Sequence, residues 1–168
     1  MAESRYEKNI SRKPYYLTKF ADDSVAHAME PAPTVWCDKH VFEGCNCVIE
    51  GSNVWADCSL GVRTDGKGTP IHKHPYEEFF LFKGMDPKNP EELGAEVEFW
   101  VGEGDETEKL VFTTSSVLYM PPNLAHFPMH FKNVKKPFQF FVFMPNNGES
   151  NPEAIDSRKA SDFGADKR

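Results

Sequence analysis

Short apolar runs separated by turn residues are the feature that most limits how this chain can fold. Between residues 36 and 145 the runs are rich in aromatic and β-branched side chains, as in AEVEFWV at 95–101 and PFQFFVFM at 137–144. Glycine- or proline-rich segments separate them, as in TDGKG at 64–68. No stretch of this zone has a sustained helical period. The pattern predicts an all-β domain, either a sandwich or a barrel.

The runs give a specific set of predicted elements. We predict strands at 53–63, 69–74, 77–83, 95–101, 108–114, 116–120 and 137–144. One short helix is predicted in NPEEL, where Asn89 can cap the helix and Pro90 would occupy its first turn.

The composition divides the chain into three zones. Residues 1–35 are mixed and polar and end in EPAPT, whose prolines favour an extended arm over a helix. Residues 36–145 carry nearly all the apolar runs and are the predicted domain. Residues 146–168 are polar and low in large apolar side chains, which predicts a flexible tail.

Charge and hydropathy argue against two classes of partner. The 168-residue chain has a net charge of −7, which argues against nucleic acid, and no apolar run is long enough to span a membrane. The opening MAESRYEKNISRKPYY lacks the apolar stretch of a secretory signal, so we expect a cytoplasmic protein.

The four cysteines are predicted to be thiols. They are Cys37, Cys45, Cys47 and Cys58, and their spacing contains no CxxC pair. Two interpretations stay open: small buried apolar side chains, or a redox or metal role.

The stretch IHKHPYEEFFLFKG at 71–84 combines metal-binding and apolar side chains. Side chains alternate along a strand, so His72, His74 and Glu78 point the same way and Glu77 points the other way. Two imidazoles and a carboxylate on one face suit a divalent cation. A second histidine segment, SSVLYMPPNLAHFPMHF at 115–131, places His126 after a strand and a proline-rich turn.

The first stretch resembles motif one of the cupin superfamily, G(x)5HxH(x)3–4E(x)6G. Gly66, His72, His74, Glu78 and Gly84 match it, with the last spacing one residue short. The second stretch resembles motif two, G(x)5PxG(x)2H(x)3N, at Pro121 and His126. Three positions depart from motif two: Ser115 and Asn123 replace its glycines, and His130 replaces its asparagine.

The resemblance covers about residues 66–144 and implies a fold and a site. It implies a single jelly-roll β-barrel that holds one metal ion. The implied ligands are His72, His74, Glu78 and His126. The ion could be iron, manganese, zinc or nickel, and the sequence does not decide between them.

Three further residues are candidates for catalysis. His130 has the parity of His126 if the segment stays extended, and could act as an acid or base or have no role. Tyr76 could bind a substrate oxygen or pack at the rim. Arg63 could clamp a substrate carboxylate or lie on the surface.

A metal site of this kind implies an enzyme acting on a small oxygen-rich molecule, aromatic or carboxylated. Dioxygenase is the first choice, and decarboxylase or lyase the second. The alternative is a non-catalytic cupin that binds or senses a ligand. Because cupin barrels commonly pair, and a bare sheet edge is a liability, we also expect a homodimer in which the arm adds a strand to the neighbouring subunit.

Overall fold

The computed structural model describes residues 6–11, 25–30, 33–61, 71–145 and 153–154. Strands dominate these residues, with short 3₁₀ turns at Glu7–Asn9 and Gly104–Glu106. The strands are β1 (Val35–Cys37), β2 (Val48–Val54), β3 (Cys58–Leu60), β4 (His72–Lys73), β5 (Glu78–Gly84), β6 (Glu92–Val101), β7 (Glu108–Thr114), β8 (Ser116–Met120), β9 (His126–Lys132), β10 (Phe138–Met144) and β11 (Glu153–Ala154).

The strands form two antiparallel sheets. The first sheet has the order β1-β2-β10-β5-β8, and the second has the order β11-β4-β9-β6-β7, with β3 also paired to β9. The all-β prediction is therefore confirmed. Among the described strands, hydrogen bonds do not join the two sheets into a closed barrel, so the architecture is a sandwich of two sheets around one core.

Aromatic side chains fill the space between the sheets. Alternate residues of β5 and β10 point inward, and Phe80 and Phe140 stack with their ring centroids 6.2 Å apart. From the second sheet, Phe99 and Phe131 are almost completely buried, and Phe99 meets Phe80 edge to face at 5.1 Å. Burying each such ring contributes roughly 2–3 kcal/mol to stability. The core therefore fixes the positions of the strands, and with them the side chains at the strand ends.

Most of the predicted strands lie where the sequence placed them. The predictions at 108–114 and 116–120 coincide with β7 and β8. The prediction at 77–83 is shifted from β5 by one residue at each end, and that at 137–144 starts one residue before β10. The predicted strand at 53–63 is interrupted, because β2 ends at Val54 and β3 is a separate strand. The predicted helix in NPEEL is wrong, since Pro90 and Glu91 form a turn and the next two residues already belong to β6.

Parts of the two predicted terminal zones pack on this chain. In the predicted arm, Ala28 is completely buried, and its carbonyl accepts a hydrogen bond of 2.8 Å from the Trp55 N–H. Met29 forms a bridge with Val54, and β1 pairs with β2. In the predicted tail, β11 pairs with β4. The other residues of these two zones, 1–5, 12–24, 31–32, 146–152 and 155–168, lie outside the described residues. No helix among the described residues has the length and hydropathy needed to cross a bilayer.

Candidate metal centre

The candidate metal centre consists of His72, His74, Glu78 and His126. His72 on β4 pairs directly with His126 on β9 in the second sheet, and His74 follows β4. Glu78 is the first residue of β5, in the first sheet. All four side chains are buried, with exposed fractions of 7% or less. The two sheets therefore bring together residues that are up to 54 positions apart in the chain (72 to 126).

The side-chain nitrogens of the three histidines converge. One nitrogen from each ring lies within 4.8 Å of the other two, and the ring centroids of His72 and His126 are 4.5 Å apart. The carboxylate of Glu78 joins them, because its Oε2 lies 2.9 Å from Nε2 of His74 and 2.9 Å from Nε2 of His126.

Backbone carbonyls determine which ring nitrogen of two of these histidines carries a proton. His74 Nδ1 lies 2.9 Å from the carbonyl oxygen of Tyr76, and His126 Nδ1 lies 2.9 Å from that of Leu124. A carbonyl can only accept, so each Nδ1 donates and each Nε2 keeps its lone pair in the neutral imidazole. Two lone pairs and a carboxylate oxygen then meet at one point, an arrangement that a cation would stabilise.

The separations fit a metal ion. Two ligand atoms bonded at right angles, each about 2.1 Å from a cation, lie about 3 Å apart. The two nitrogen-to-carboxylate distances of 2.9 Å match this value. His126 Nε2 is buried, and no group among the described residues is aligned to hydrogen-bond with it. Imidazole and carboxylate together suit iron, manganese, zinc or nickel.

The structure separates the two adjacent glutamates. Burial raises the pKa of Glu78, but in the metal-free protein His126 and His74, when they are protonated, outweigh burial and lower this pKa to about 2, so the carboxylate is ionised. A cation held by the neutral imidazoles would favour the same ionised state. Glu77 points out of the sheet, where Tyr119 Oη donates to its Oε1 at 2.9 Å. The parity argument that favoured Glu78 over Glu77 assumed one continuous strand, but β4 ends at Lys73 and β5 begins at Glu78 in the other sheet, so the choice of Glu78 as a ligand stays a prediction.

The residues that depart from motif two have structural roles. Asn123 has a φ of 66°, a left-handed conformation that asparagine tolerates, and its N–H donates to the carbonyl of His74 at 2.8 Å. Ser115 Oγ accepts from the Gly84 N–H at 3.0 Å and donates to the Pro90 carbonyl at 2.9 Å. Asn123 thus fastens the turn to a ligand segment, and Ser115 anchors the loop between β5 and β6.

His130 points away from the candidate metal centre. On β9, Met129 pairs with Phe99, but His126 pairs with Val101, so β9 carries one extra residue between these pairs. Phe127, in this bulge, has a φ of 80°. The expectation that His126 and His130 share a face is therefore wrong. His130 Nδ1 instead lies 2.8 Å from Ser59 Oγ on β3, so an acid or base role for His130 stays a prediction that this placement disfavours.

Tyr76 packs against the candidate ligand His74. Its ring stacks on the ring of His74, with centroids 4.1 Å apart and planes 4° apart. Its carbonyl also accepts from His74 Nδ1, so two contacts orient this imidazole. Arg63 and the motif residue Gly66 lie outside the described residues.

Aromatic rings form the wall behind His126. The ring centroids of Phe80, Phe127 and Phe99 lie 5.7, 5.8 and 6.2 Å from that of His126. These rings exclude water from one side of the site, and the resulting low dielectric strengthens its electrostatic interactions.

Glu50 is an interior acid that the sequence analysis missed. It lies on β2 opposite Val142, which pairs in turn with the buried Phe80, so Glu50 faces the core. The side chain is half-buried. In the metal-free protein, burial and the negative charge of Glu78 raise the pKa of Glu50 to about 8, so Glu50 holds a proton at neutral pH. The sequence does contain an indication of this placement. If VIEGSNV is taken as a strand, Glu50 lies on the same face as the apolar Val48 and Val54.

Several solved structures resemble this fold. An oxalate oxidase in complex with the substrate analogue glycolate has a TM-score of 0.54 at 15% identity, over 92% of this chain and 67% of that one. A second oxalate oxidase structure has a TM-score of 0.53 at 16% identity, over 92% and 67%. An uncharacterized conserved protein with a double-stranded β-helix domain from Klebsiella pneumoniae subsp. pneumoniae MGH 78578 has a TM-score of 0.51 at 12% identity, over 94% and 99%.

These similarities establish the fold. The chain has the double-stranded β-helix fold of cupins, and the resemblance inferred from the two motifs is confirmed at that level. No protein-family model and no curated protein sequence matches the chain.

Proposed function

We propose that this protein is a metal-dependent enzyme that acts on a small, oxygen-rich, carboxylated molecule. The proposal depends on one observation: the Nε2 atoms of His74 and His126 each lie 2.9 Å from the Glu78 carboxylate, beside a third histidine, in a buried site. His72, His74, Glu78 and His126 would hold a divalent cation, which is iron, manganese, zinc or nickel.

The residues around the ligands suggest how the chain contributes to a reaction. When bound, the cation would act as a Lewis acid toward a substrate oxygen or as a site for O₂ chemistry. The rings of Phe80, Phe99 and Phe127 keep water from the far side of His126. Tyr76 orients the ring of His74, and Asn123 holds the His74 backbone. A site held this rigidly costs little reorganisation when charge develops on a substrate.

Glu50 is our candidate for the acid and base of the reaction. It faces the core from β2, on the same sheet as Glu78, and remains half-buried rather than sealed. A carboxyl group that is protonated near neutral pH can donate a proton to substrate and take it back. His130 points away from the centre, so Glu50 is the better placed of the two.

The substrate class and reaction come from chemistry and from analogy. The similar oxalate oxidase carries the substrate analogue glycolate, a two-carbon hydroxy acid. We propose a carboxylate with an adjacent oxygen, which could bind a metal through two atoms. Dioxygenase chemistry remains the first choice, because a three-histidine, one-glutamate set suits iron and a dry pocket suits O₂. Decarboxylase or lyase chemistry is second.

The test combines metal analysis with turnover. The purified protein is analysed for bound elements, then assayed for oxygen uptake and CO₂ release with oxalate, glycolate, enediols and catechols. We expect about one equivalent of bound metal to depend on His126, so that His126→Ala loses that equivalent and abolishes turnover. His27→Ala is the matched control, since His27 is exposed and outside the site.

The outcomes separate the alternatives. Oxygen uptake supports the dioxygenase, and turnover without oxygen transfers the assignment to a decarboxylase or lyase. Binding of metal and acids without turnover would replace the enzyme proposal with a ligand-binding or sensing protein. Failure of the His126→Ala variant to change metal content would overturn the site itself.

We also propose that the protein forms a homodimer. β7 and β8 are edge strands of the two sheets, and Val111, Val117 and Tyr119 on them are large apolar side chains that are about half exposed or more. Such edges invite pairing with another copy. Light scattering tests this, and a monomeric mass at assay concentration would contradict it.

A further inference from the structure

A second group of metal-binding side chains lies outside the candidate metal centre. We call Cys37, Cys45 and Cys47 the thiol cluster. Their sulfur atoms all lie within 4.8 Å of one another. Cys45 Sγ lies 3.5 Å from Cys37 Sγ and 3.5 Å from Cys47 Sγ. The three side chains are partly exposed, so an ion from solvent can reach them.

The loop between β1 and β2 is built to hold these sulfurs together. The carboxylate of Asp38, which is buried, accepts from the N–H groups of His40 and Val41 at 2.8 and 3.0 Å. The Asp38 carbonyl accepts from Phe42 N–H at 3.0 Å. A turn then follows, in which Cys45 N–H donates to the Phe42 carbonyl at 3.0 Å. These hydrogen bonds hold the loop in a conformation that places Cys45 next to the end of β1.

Glycine makes this return possible. Gly44 has a φ of 81°, which L side chains rarely adopt, and it directly precedes Cys45. Cys37 ends β1 and Cys47 directly precedes β2, and these strands pair with Cys37 opposite Ile49. Two of the sulfurs are therefore anchored by the sheet, and the turn delivers the third.

The sulfur separations distinguish the possible states of the cluster. A disulfide requires about 2.05 Å between sulfurs, much less than the observed 3.5 Å. Thiolates bound to one tetrahedral zinc ion at about 2.3 Å lie about 3.8 Å apart, which is close to the observed value. All three cysteines are free. Without a cation the cluster therefore contains packed sulfurs that no disulfide joins.

We propose that Cys37, Cys45 and Cys47 form a binding site for a thiophilic d¹⁰ cation, with Zn²⁺ as the representative ion and a fourth coordination position open to solvent. Binding exchanges the thiol protons for the ion, so that three thiolates form and up to three protons are released to solvent. The bound ion would connect the loop to both β1 and β2. This site is chemically different from the candidate metal centre, and the proposal does not depend on the proposed function.

Cobalt spectroscopy on the full-length, reduced protein tests the proposal. Co²⁺ bound by thiolates gives an intense near-ultraviolet charge-transfer band, which imidazole and carboxylate ligands do not give. We expect this band to saturate when one equivalent of Co²⁺ per chain is bound to the thiol cluster. Zn²⁺ should displace the Co²⁺ and so remove the band. Zn²⁺ should also raise the thermal unfolding midpoint of the wild-type protein.

Two variants locate the signal. Cys45→Ser should lose the band and should bind Zn²⁺ at least 100-fold more weakly, whereas Cys58→Ser is the matched control and should keep the band. His126→Ala should also keep it, so a failure of the candidate metal centre is distinguishable from a failure here. If Cys45→Ser does not fold by circular dichroism, Cys47→Ser takes its place.

Three outcomes would overturn the proposal. One is the absence of the band in reduced wild-type protein. Another is an unchanged band in both Cys45→Ser and Cys47→Ser. The third is a disulfide within the cluster, found by mass spectrometry, together with no Zn²⁺ binding after its reduction.

Discussion

The candidate metal centre and the thiol cluster are two convergent groups that the chain assembles in opposite ways. The first draws ligands from β4, β5 and β9, so it requires both sheets to be in place. The second lies within residues 37–47 and depends on one loop and the two strands beside it. The first is buried and lined by imidazole and carboxylate, and the second is partly exposed and contains only sulfur.

The difference teaches what each site depends on. The core positions the ligands of the candidate metal centre. Substituting one ligand should therefore leave the protein folded and remove metal binding. A local site is positioned by its own backbone turns, so a change to the loop alters affinity without reaching the core. The thiol cluster should also prefer softer cations than the candidate metal centre does, because thiolates select softer cations than carboxylates do.

The largest effect should come from His126→Ala. This substitution removes a completely buried ligand, and we expect metal affinity at the candidate metal centre to fall at least about 100-fold. Mutating a residue that only hydrogen-bonds to a metal ligand already lowers metal affinity by about 10–100-fold. Isothermal titration in a Cys45→Ser background isolates this centre from the thiol cluster. The comparison would fail if His126→Ala also removed the cobalt–thiolate band.

The next effect should come from Glu50→Gln. The pKa of Glu50 is raised from 4.5 to about 8 in the folded state, so the folded protein keeps a proton that the unfolded chain releases between these values. Stability from this group is therefore full below pH 4.5 and is lost as pH rises toward 8. In metal-free protein, we expect Glu50→Gln to be more stable than wild type near pH 8 by about 1–3 kcal/mol.

Urea unfolding across pH 4–9 measures this difference. The gain should be small near pH 4 and should grow as pH rises. A gain that does not depend on pH would show that Glu50 is ionised in the folded protein, and it would remove Glu50 as the proposed acid.

A smaller effect should come from Asp38→Ala. This change removes two hydrogen bonds from the loop of the thiol cluster, and we expect it to cost about 1 kcal/mol of stability and about tenfold in Zn²⁺ affinity. Co²⁺ titration measures the affinity. Binding at the candidate metal centre should stay unchanged, and a loss there would show that the two regions are coupled.

The smallest effect should come from Tyr76→Phe. The ring stack on His74 and the backbone carbonyl that orients it are both retained. We expect metal affinity to change less than about threefold, because the substitution keeps the stacked aromatic pair. Such a pair contributes about 0.5–1.5 kcal/mol. A large fall in kcat with unchanged metal affinity would instead assign the hydroxyl to substrate.

The sequence predicted the strands best where a short apolar run lies between polar residues. β7 and β8 coincide with the predicted ranges because each is such a run, LVF in β7 and VLYM in β8. β2 was largely missed, since Glu50, Gly51 and Ser52 interrupt its pattern, and pairing with β10 overrides this weak local preference. The predicted NPEEL helix failed for the same kind of reason, because β6 begins inside it.

The site was predictable in part. Parity along one strand grouped His72, His74 and Glu78, and the motif resemblance added His126. Parity misplaced His130, since a single extra residue in β9 cannot be inferred from the apolar pattern. The thiol cluster was also hidden, because its spacing fits no CxxC pattern and its convergence depends on a turn at Gly44.

The extra residue in β9 also bears on how this chain can diverge. Positions 126 and 130 are four apart and would face the same compartment on a regular strand, but the bulge puts them on opposite sides of the sheet. Descendants of this sequence can therefore vary the residue at 130 under constraints from its own buried surroundings beside Ser59, separately from the candidate metal centre. Deleting one residue within the bulge would end that independence, and a single genetic event would then remodel both faces at once.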